Sequence, residues 1–180
     1  MKKVWYLLLA VCLVACENTP EIEKALEVEP QVEFDYADLG LKSGTKWKKG
    51  NEIANEKGKN SEVEYFTFNQ AIKYYYGNVP TKAQWDELIY NCQWTWDAEK
   101  KGYDIVGPNG GAIFLPARGT VYRKEGVTDV GVDGSYWTST ANESYPDEEA
   151  WCVLWTPYTN GAALVSMEQR SKASLRLVWK

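Results

Sequence analysis

Few side chains in this sequence could do chemistry, and their types narrow what that chemistry is. Histidine is absent, and cysteine occurs four times in 180 residues. Without histidine there is no Ser-His-Asp or Cys-His nucleophilic site, no His-ligated zinc and no histidine general base. Asp129 and Asp133 flank glycines in Asp129-Val130-Gly131-Val132-Asp133-Gly134. With Asp147, Glu148 and Glu149 they offer the oxygen ligands that calcium takes, but the spacing is not that of an EF-hand loop. Asp-Gly turn chemistry explains the first pair equally well. No metal site, cofactor or catalytic residue is therefore expected. Tyr122, Arg123, Tyr145, Tyr158 and Asn160 lie in connections and read as contact residues for a glycan or protein ligand. Tyrosine supplies contact area at small entropic cost.

Cys16 has a different chemistry. Lys2 and Lys3 precede an apolar run from Val4 to Val14, too short to cross a bilayer as a helix but ordered like a secretory signal. Leu13-Val14-Ala15-Cys16 resembles a bacterial lipobox. That resemblance implies a signal peptide over residues 1–15, cleavage before Cys16, diacylglycerol on its thiol and an acyl chain such as palmitate on the new amine. Each buried methylene of such chains contributes about 0.8 kcal/mol to anchoring. The expected location is the cell envelope, as an outer membrane lipoprotein displayed at the surface, with the membrane as a partner through the lipid.

Loss of Lys2 and Lys3 with the signal takes the formal charge from −5 to −7, of which residues 17–35 carry −6. Residues 36–180 are thus close to neutral, which gives no electrostatic footprint for nucleic acid. Residues 16–33 hold Pro20 and Pro30 and no aromatic residue, and read as an acidic flexible tether. An acidic stretch so soon after the cysteine resembles a surface-display signal; self-repulsion that holds the domain off the membrane is the plainer reading.

The domain over residues 34–180 must position the contact residues, and its elements read clearly. Thr67 with Gln70, and Thr81 with Gln84, fit capping boxes. The first helix is predicted from Phe68 to Tyr76, with Phe68, Ala71, Ile72 and Tyr75 on one face and Gly77 ending it. The second is predicted from Lys82 to Asn91, with the stripe Trp85, Leu88, Ile89 and Cys92. Short strands are expected around Asp38 and Trp47, and a loop from Lys48 to Ser61. A hairpin is expected from Gly102–Val106 and Ala112–Leu115 around Gly107-Pro108-Asn109-Gly110-Gly111. Strands follow at Tyr136–Ser139, Ala150–Thr156, Ala162–Glu168 and Leu175–Trp179, with Asn160-Gly161 as a hairpin turn. Two short helices followed by antiparallel strands and hairpins argue α+β. Trp85 and Trp137 read as core, as do Trp151, Val153 and Trp155, which alternate along one strand. Cys92 and Cys152 admit two readings. A disulfide would close a loop worth on the order of 4 kcal/mol in the chain-entropy model, whereas Cys92 already completes a helical stripe as a buried thiol. Asn142-Glu143-Ser144 fits the N-glycosylation pattern, which in a bacterial lipoprotein reads as chance.

An ordered set of segments resembles a known family. Asp38-Leu39-Gly40-Leu41 with Gly44-Thr45-Lys46-Trp47 looks like its opening, and Val79-Pro80-Thr81-Lys82-Ala83-Gln84-Trp85-Asp86-Glu87-Leu88-Ile89 like its helix motif. Cys92-Gln93-Trp94-Thr95-Trp96, Gly107-Pro108-Asn109-Gly110, Ile113-Phe114-Leu115-Pro116-Ala117, Tyr136-Trp137-Thr138-Ser139-Thr140 and Leu175-Arg176-Leu177-Val178 follow in its order. The family is the Fibrobacter succinogenes major paralogous domain, similar in fold to C-type lectin-like domains and to formylglycine-generating sulfatase modifiers. The resemblance implies a lectin-like α+β domain carried by a lipoprotein, with ligand contacts on late loops. The Glu-Pro-Asn, Gln-Pro-Asp and Trp-Asn-Asp strings of calcium-dependent lectins are absent, as is the late cysteine pair of the sulfatase modifiers. The expected function is non-catalytic binding of a glycan or protein ligand. The alternatives are a subunit or accessory of a fimbria-like surface assembly, and a degenerate relative of sulfatase-modifying enzymes.

Overall fold

The computed structural model of the chain describes residues 35–55, 62–121, 126–156 and 161–180. Tyr36–Asp38 (β1) and Lys46–Lys48 (β2) pair antiparallel around the turn in which Gly44 N–H bonds Leu41 O at 2.9 Å. The chain's last strand returns to them. Val178–Trp179 lies antiparallel on the other side of β2, with Val178 opposite Trp47. The predicted loop after Lys48 holds the short pair Ala54–Asn55 (β3) and Glu62–Val63 (β4), with residues 56–61 outside the described ones.

Phe66–Thr67 (β5) leads directly into helix α1, Phe68–Tyr75, and Lys82–Asn91 forms α2. Both capping boxes form. Thr67 and Thr81 accept from the amides of Gln70 and Gln84, and each glutamine reaches back to the cap's own amide. Gly77, at φ +82°, takes the left-handed turn that ends α1, and Asn78 N–H closes it on Tyr75 O.

Gln93–Asp97 (β6), Gly102–Val106 (β7) and Ala112–Pro116 (β8) form an antiparallel meander. Its second hairpin matches the predicted one. Gly107 is required at its turn because a Cβ there would run into the backbone of Leu39. Thr120–Val121 (β9) and Val127–Thr128 (β10) form a small hairpin, joined through Lys172–Ala173 (β14) to β5. The third meander is Gly134–Ala141 (β11), Glu149–Trp155 (β12) and Ala163–Glu168 (β13). Within the named strands every pairing is antiparallel, so the chain is mixed α+β with two short helices among antiparallel sheets.

The β11–β12–β13 sheet has apolar residues on both faces because it lies between two clusters. Tyr136, Val153 and Trp155 point to one side, with Trp47, Trp85 and Leu88 of α2. Trp137, Ala150 and Cys152 point to the other, with Phe66 and with Phe68 and Ala71 of α1. Consecutive strand residues face opposite ways, so Tyr136 and Trp137 serve different cores. Trp85 is wholly buried and donates its indole N–H to Trp137 O at 3.2 Å. Gly134 leaves room for the Trp155 indole, which a Cβ there would strike.

Of the two readings of Cys92 and Cys152, the structure has separate free thiols, packed with different clusters rather than bridged. Two expectations change. The strand expected at Leu175–Trp179 keeps only its last two residues, Val178–Trp179. Upstream, the backbone bonds sideways instead: Leu175 O accepts from Glu52 N–H at 2.8 Å and Leu177 O from Lys48 N–H at 3.0 Å. Arg176, between them, turns inward and is fully buried. Trp151 shares the face of Val153 and Trp155 but is only half-buried. The alternation is right, yet α2 begins at Lys82 and the cluster it covers stops before Trp151.

Candidate functional site

Tyr145 lies in the connection between β11 and β12 and is 57% exposed. The loop around it is ordered by its own bonds. Asn142 Oδ1 accepts from Ser144 N–H at 2.9 Å, and Asn142 N–H bonds Glu149 O at 2.9 Å across the loop's mouth. Tyr145 O takes both Glu148 N–H, at 3.1 Å, and Glu149 N–H, at 2.9 Å. Asparagine at such a position closes a turn through its side chain.

A second segment staples the loop from outside. Gln169, just past β13 and buried, donates its side-chain amide to Pro146 O at 2.8 Å and to Glu149 O at 3.1 Å. Its backbone N–H bonds Glu148 O at 2.8 Å. Its own carbonyl accepts from Phe68 N–H at 3.1 Å, so the staple continues to the start of α1. Between loop and staple lies an open groove of about 610 Å³, lined by Thr67, Asn69, Asp147, Glu148, Gln169 and Arg170 among others. Its rim is acidic, and Arg170 is held by Glu168, with Nε to Oε2 at 2.9 Å. Such a rim repels acidic ligands and suits neutral or cationic ones.

On the other side of the loop, Trp151 Nε1 donates to Glu143 Oε2 at 3.1 Å. The Glu143 carboxyl lies below the usual glutamate range, first through a backbone hydrogen bond, then through the Trp151 N–H and the Lys82 charge.

Of the sequence-predicted contact residues, Tyr145 is placed at the surface, while Tyr122, Arg123, Tyr158 and Asn160 lie outside the described residues, as does Cys16. The 142–149 loop joins β12 at Glu149, about 20 Å along that seven-residue strand from Trp155.

Asp129 and Asp133 meet in a turn. Asp129, at φ +57°, accepts from Asp133 N–H at 2.9 Å through its carbonyl. The Asp133 carboxyl is raised by burial and by the nearby Asp129 charge. Among the described residues no group of three or more acidic or cysteine side chains is placed to hold a metal ion. The Cys92 thiol is pushed up to about 11 and the Cys152 thiol to about 12, burial being the main cause in each.

Sequence reasoning missed Gln169 and Arg170, which lie just past the predicted strand Ala162–Glu168, and assigned Trp151 to the core. The position of Trp151 was partly recoverable: Lys82 opens α2, so no apolar helical residue remains to cover the strand's start. Gln169 carries no such signal, because its partners lie 20 and more residues away in sequence. No family model, curated protein or solved structure matches the chain.

Proposed function

We propose that this chain is a non-catalytic lipoprotein of the cell envelope, anchored through Cys16 and displayed on an acidic tether. Its domain, of the Fibrobacter succinogenes major paralogous type with a lectin-like fold, binds a glycan or protein ligand through the 142–149 loop. The carrying observation is the order of that loop: it presents an exposed Tyr145 on a backbone already fixed by Asn142 and Gln169. A preordered loop binds without the entropic cost of fixing it. The raised thiols of Cys92 and Cys152 argue against a cysteine nucleophile at either position, since a thiol must lose its proton to act as one. Full-length protein in detergent micelles, applied to a printed glycan array, tests this reading. Saturable binding to a defined glycan class is expected. No binding to any printed glycan would remove the glycan arm and leave a protein ligand.

A second reading, a subunit of a surface assembly, is favoured by β13. Among the described residues it is the outer strand of its sheet, and its one charged residue is Glu168 at its end, with neither lysine nor proline to guard the edge. Concentration-dependent oligomers in micelles would support it.

A further inference from the structure

Beside the loop, where the cluster under α2 stops, the β11–β12–β13 sheet carries a flat, half-buried aromatic ring set among polar groups. The Trp151 indole is half-buried and fixed in plane by its N–H bond to Glu143 at 3.1 Å. Lys82 Nζ sits over its ring, 3.7 Å from the centroid. Opposite Trp151 in the ladder is Ser166, and next to them Asn142 and Glu149 complete a network. Asn142 Nδ2 donates to Ser166 Oγ at 2.7 Å and to Glu149 Oε2 at 3.1 Å, and Ser166 Oγ donates to the same carboxylate oxygen. Among the described residues Trp151 belongs to neither core cluster.

From this geometry we infer that Trp151 is the stacking platform of a subsite for one ring of a neutral sugar, with Glu149, Asn142 and Ser166 pairing its hydroxyls. The inference rests on the glycan arm of the proposed function and names where that ligand sits. A pyranose ring has one face of C–H bonds and an equatorial belt of hydroxyls. The C–H face suits the electron-rich indole, and the belt suits carboxylate and amide groups at the ring's edge. Glu143 and Glu149 beside the indole disfavour a uronic or other acidic sugar. Lys82 holds the stacking face through one flexible side chain. A sugar ring displaces its ammonium to the rim, where it can donate to ring or hydroxyl oxygens. The groups are already oriented by one another, so little ordering cost remains at binding.

The test uses full-length, nitrogen-15-labelled protein in detergent micelles. Its Trp151 indole N–H signal is assigned by its loss in Trp151→Phe. Malto-, cello-, xylo- and manno-oligosaccharides are the neutral probes, and oligogalacturonate is the acidic comparator. The expected result is a saturable shift of the Trp151 signal with at least one neutral probe and none with the acidic one. Trp151→Ala should then weaken that binding on the order of tenfold or more, and Trp151→Phe less. The other indole signals report whether each variant is folded. A neutral probe that moves other signals and leaves Trp151 unmoved overturns the subsite while sparing the glycan reading. Binding of oligogalacturonate at Trp151 overturns the assigned ligand class. Silence of every indole and backbone signal with all probes overturns the subsite and removes support from the glycan arm together.

Discussion

Arg176 is the residue on which the middle of the domain is hung. Its guanidinium is fully buried and has neutral partners: Lys48 O at 2.6 Å, Lys49 O, Phe114 O at 2.7 Å and Asn51 Oδ1 at 2.7 Å. One side chain thus ties the segment after β2 and strand β8 to the closing segment. Asn51 also donates to the Tyr136 hydroxyl at 3.0 Å, and that hydroxyl donates to Pro116 O at 2.8 Å. Burial pushes the Tyr136 phenol up to about 12. Arg176→Met strands several buried carbonyls, each costing about 1–3 kcal/mol, so a loss of at least 3 kcal/mol or so is expected in denaturant unfolding. Arg176→Lys should recover little, because an ammonium cannot reproduce the planar fork. Trp85→Ala should cost about 3–5 kcal/mol, the usual result of emptying a buried aromatic site. The Glu143 carboxylate gives a pH prediction. Its pKa is lowered from an ordinary 4.5, so its bond to Trp151 is intact above that value and is lost as pH falls through the lowered one. The Trp151 indole N–H signal should therefore report the Glu143 titration with a midpoint below 4.5; a midpoint at or above it would mean the carboxylate gains nothing from these partners.

Among the elements, the helices were the most legible in the sequence. A capping box is a local device, and Thr67-Gln70 and Thr81-Gln84 form without help from the rest of the fold. Thr81→Ala should cost about 1 kcal/mol in thermal or denaturant unfolding. Hairpins were legible for the same reason, since Gly107 to Gly111 carries its own turn chemistry. The segment 174–177 was not. It falls in the strand expected at Leu175–Trp179, but its partners are set by a buried arginine and by carbonyls that bond sideways, over separations far beyond any local pattern. The candidate site divides likewise. Tyr145 was visible as an aromatic in a polar, proline-bearing connection. Gln169, which fixes that connection from 20 and 23 residues away, was not visible. Gln169→Ala removes two bonds to the loop. Amide hydrogen exchange at Glu148 and Glu149 should then quicken well beyond that of α2.

At the scale of the whole molecule, the proposed reading makes anchoring and binding separate tasks. Asp35–Lys180 is one compact unit, and among the described residues no helix is long and apolar enough to cross a membrane. On the proposed reading Cys16 alone holds the chain to the bilayer. Cys16→Ala should abolish lipid labelling and release the protein from the membrane fraction; a variant that stays with membranes would contradict the anchor. Binding is proposed to belong to the 142–149 loop, where Tyr145 contributes contact and not packing. The most direct measurement compares Tyr145→Ala with the unaltered chain, for thermal midpoint and for affinity toward whichever glycan or protein ligand the unaltered chain retains. The proposal predicts a midpoint within a few degrees, as for other surface changes, and affinity lowered on the order of tenfold or more. Unchanged affinity in a variant of unchanged stability would contradict it and move the site away from this loop.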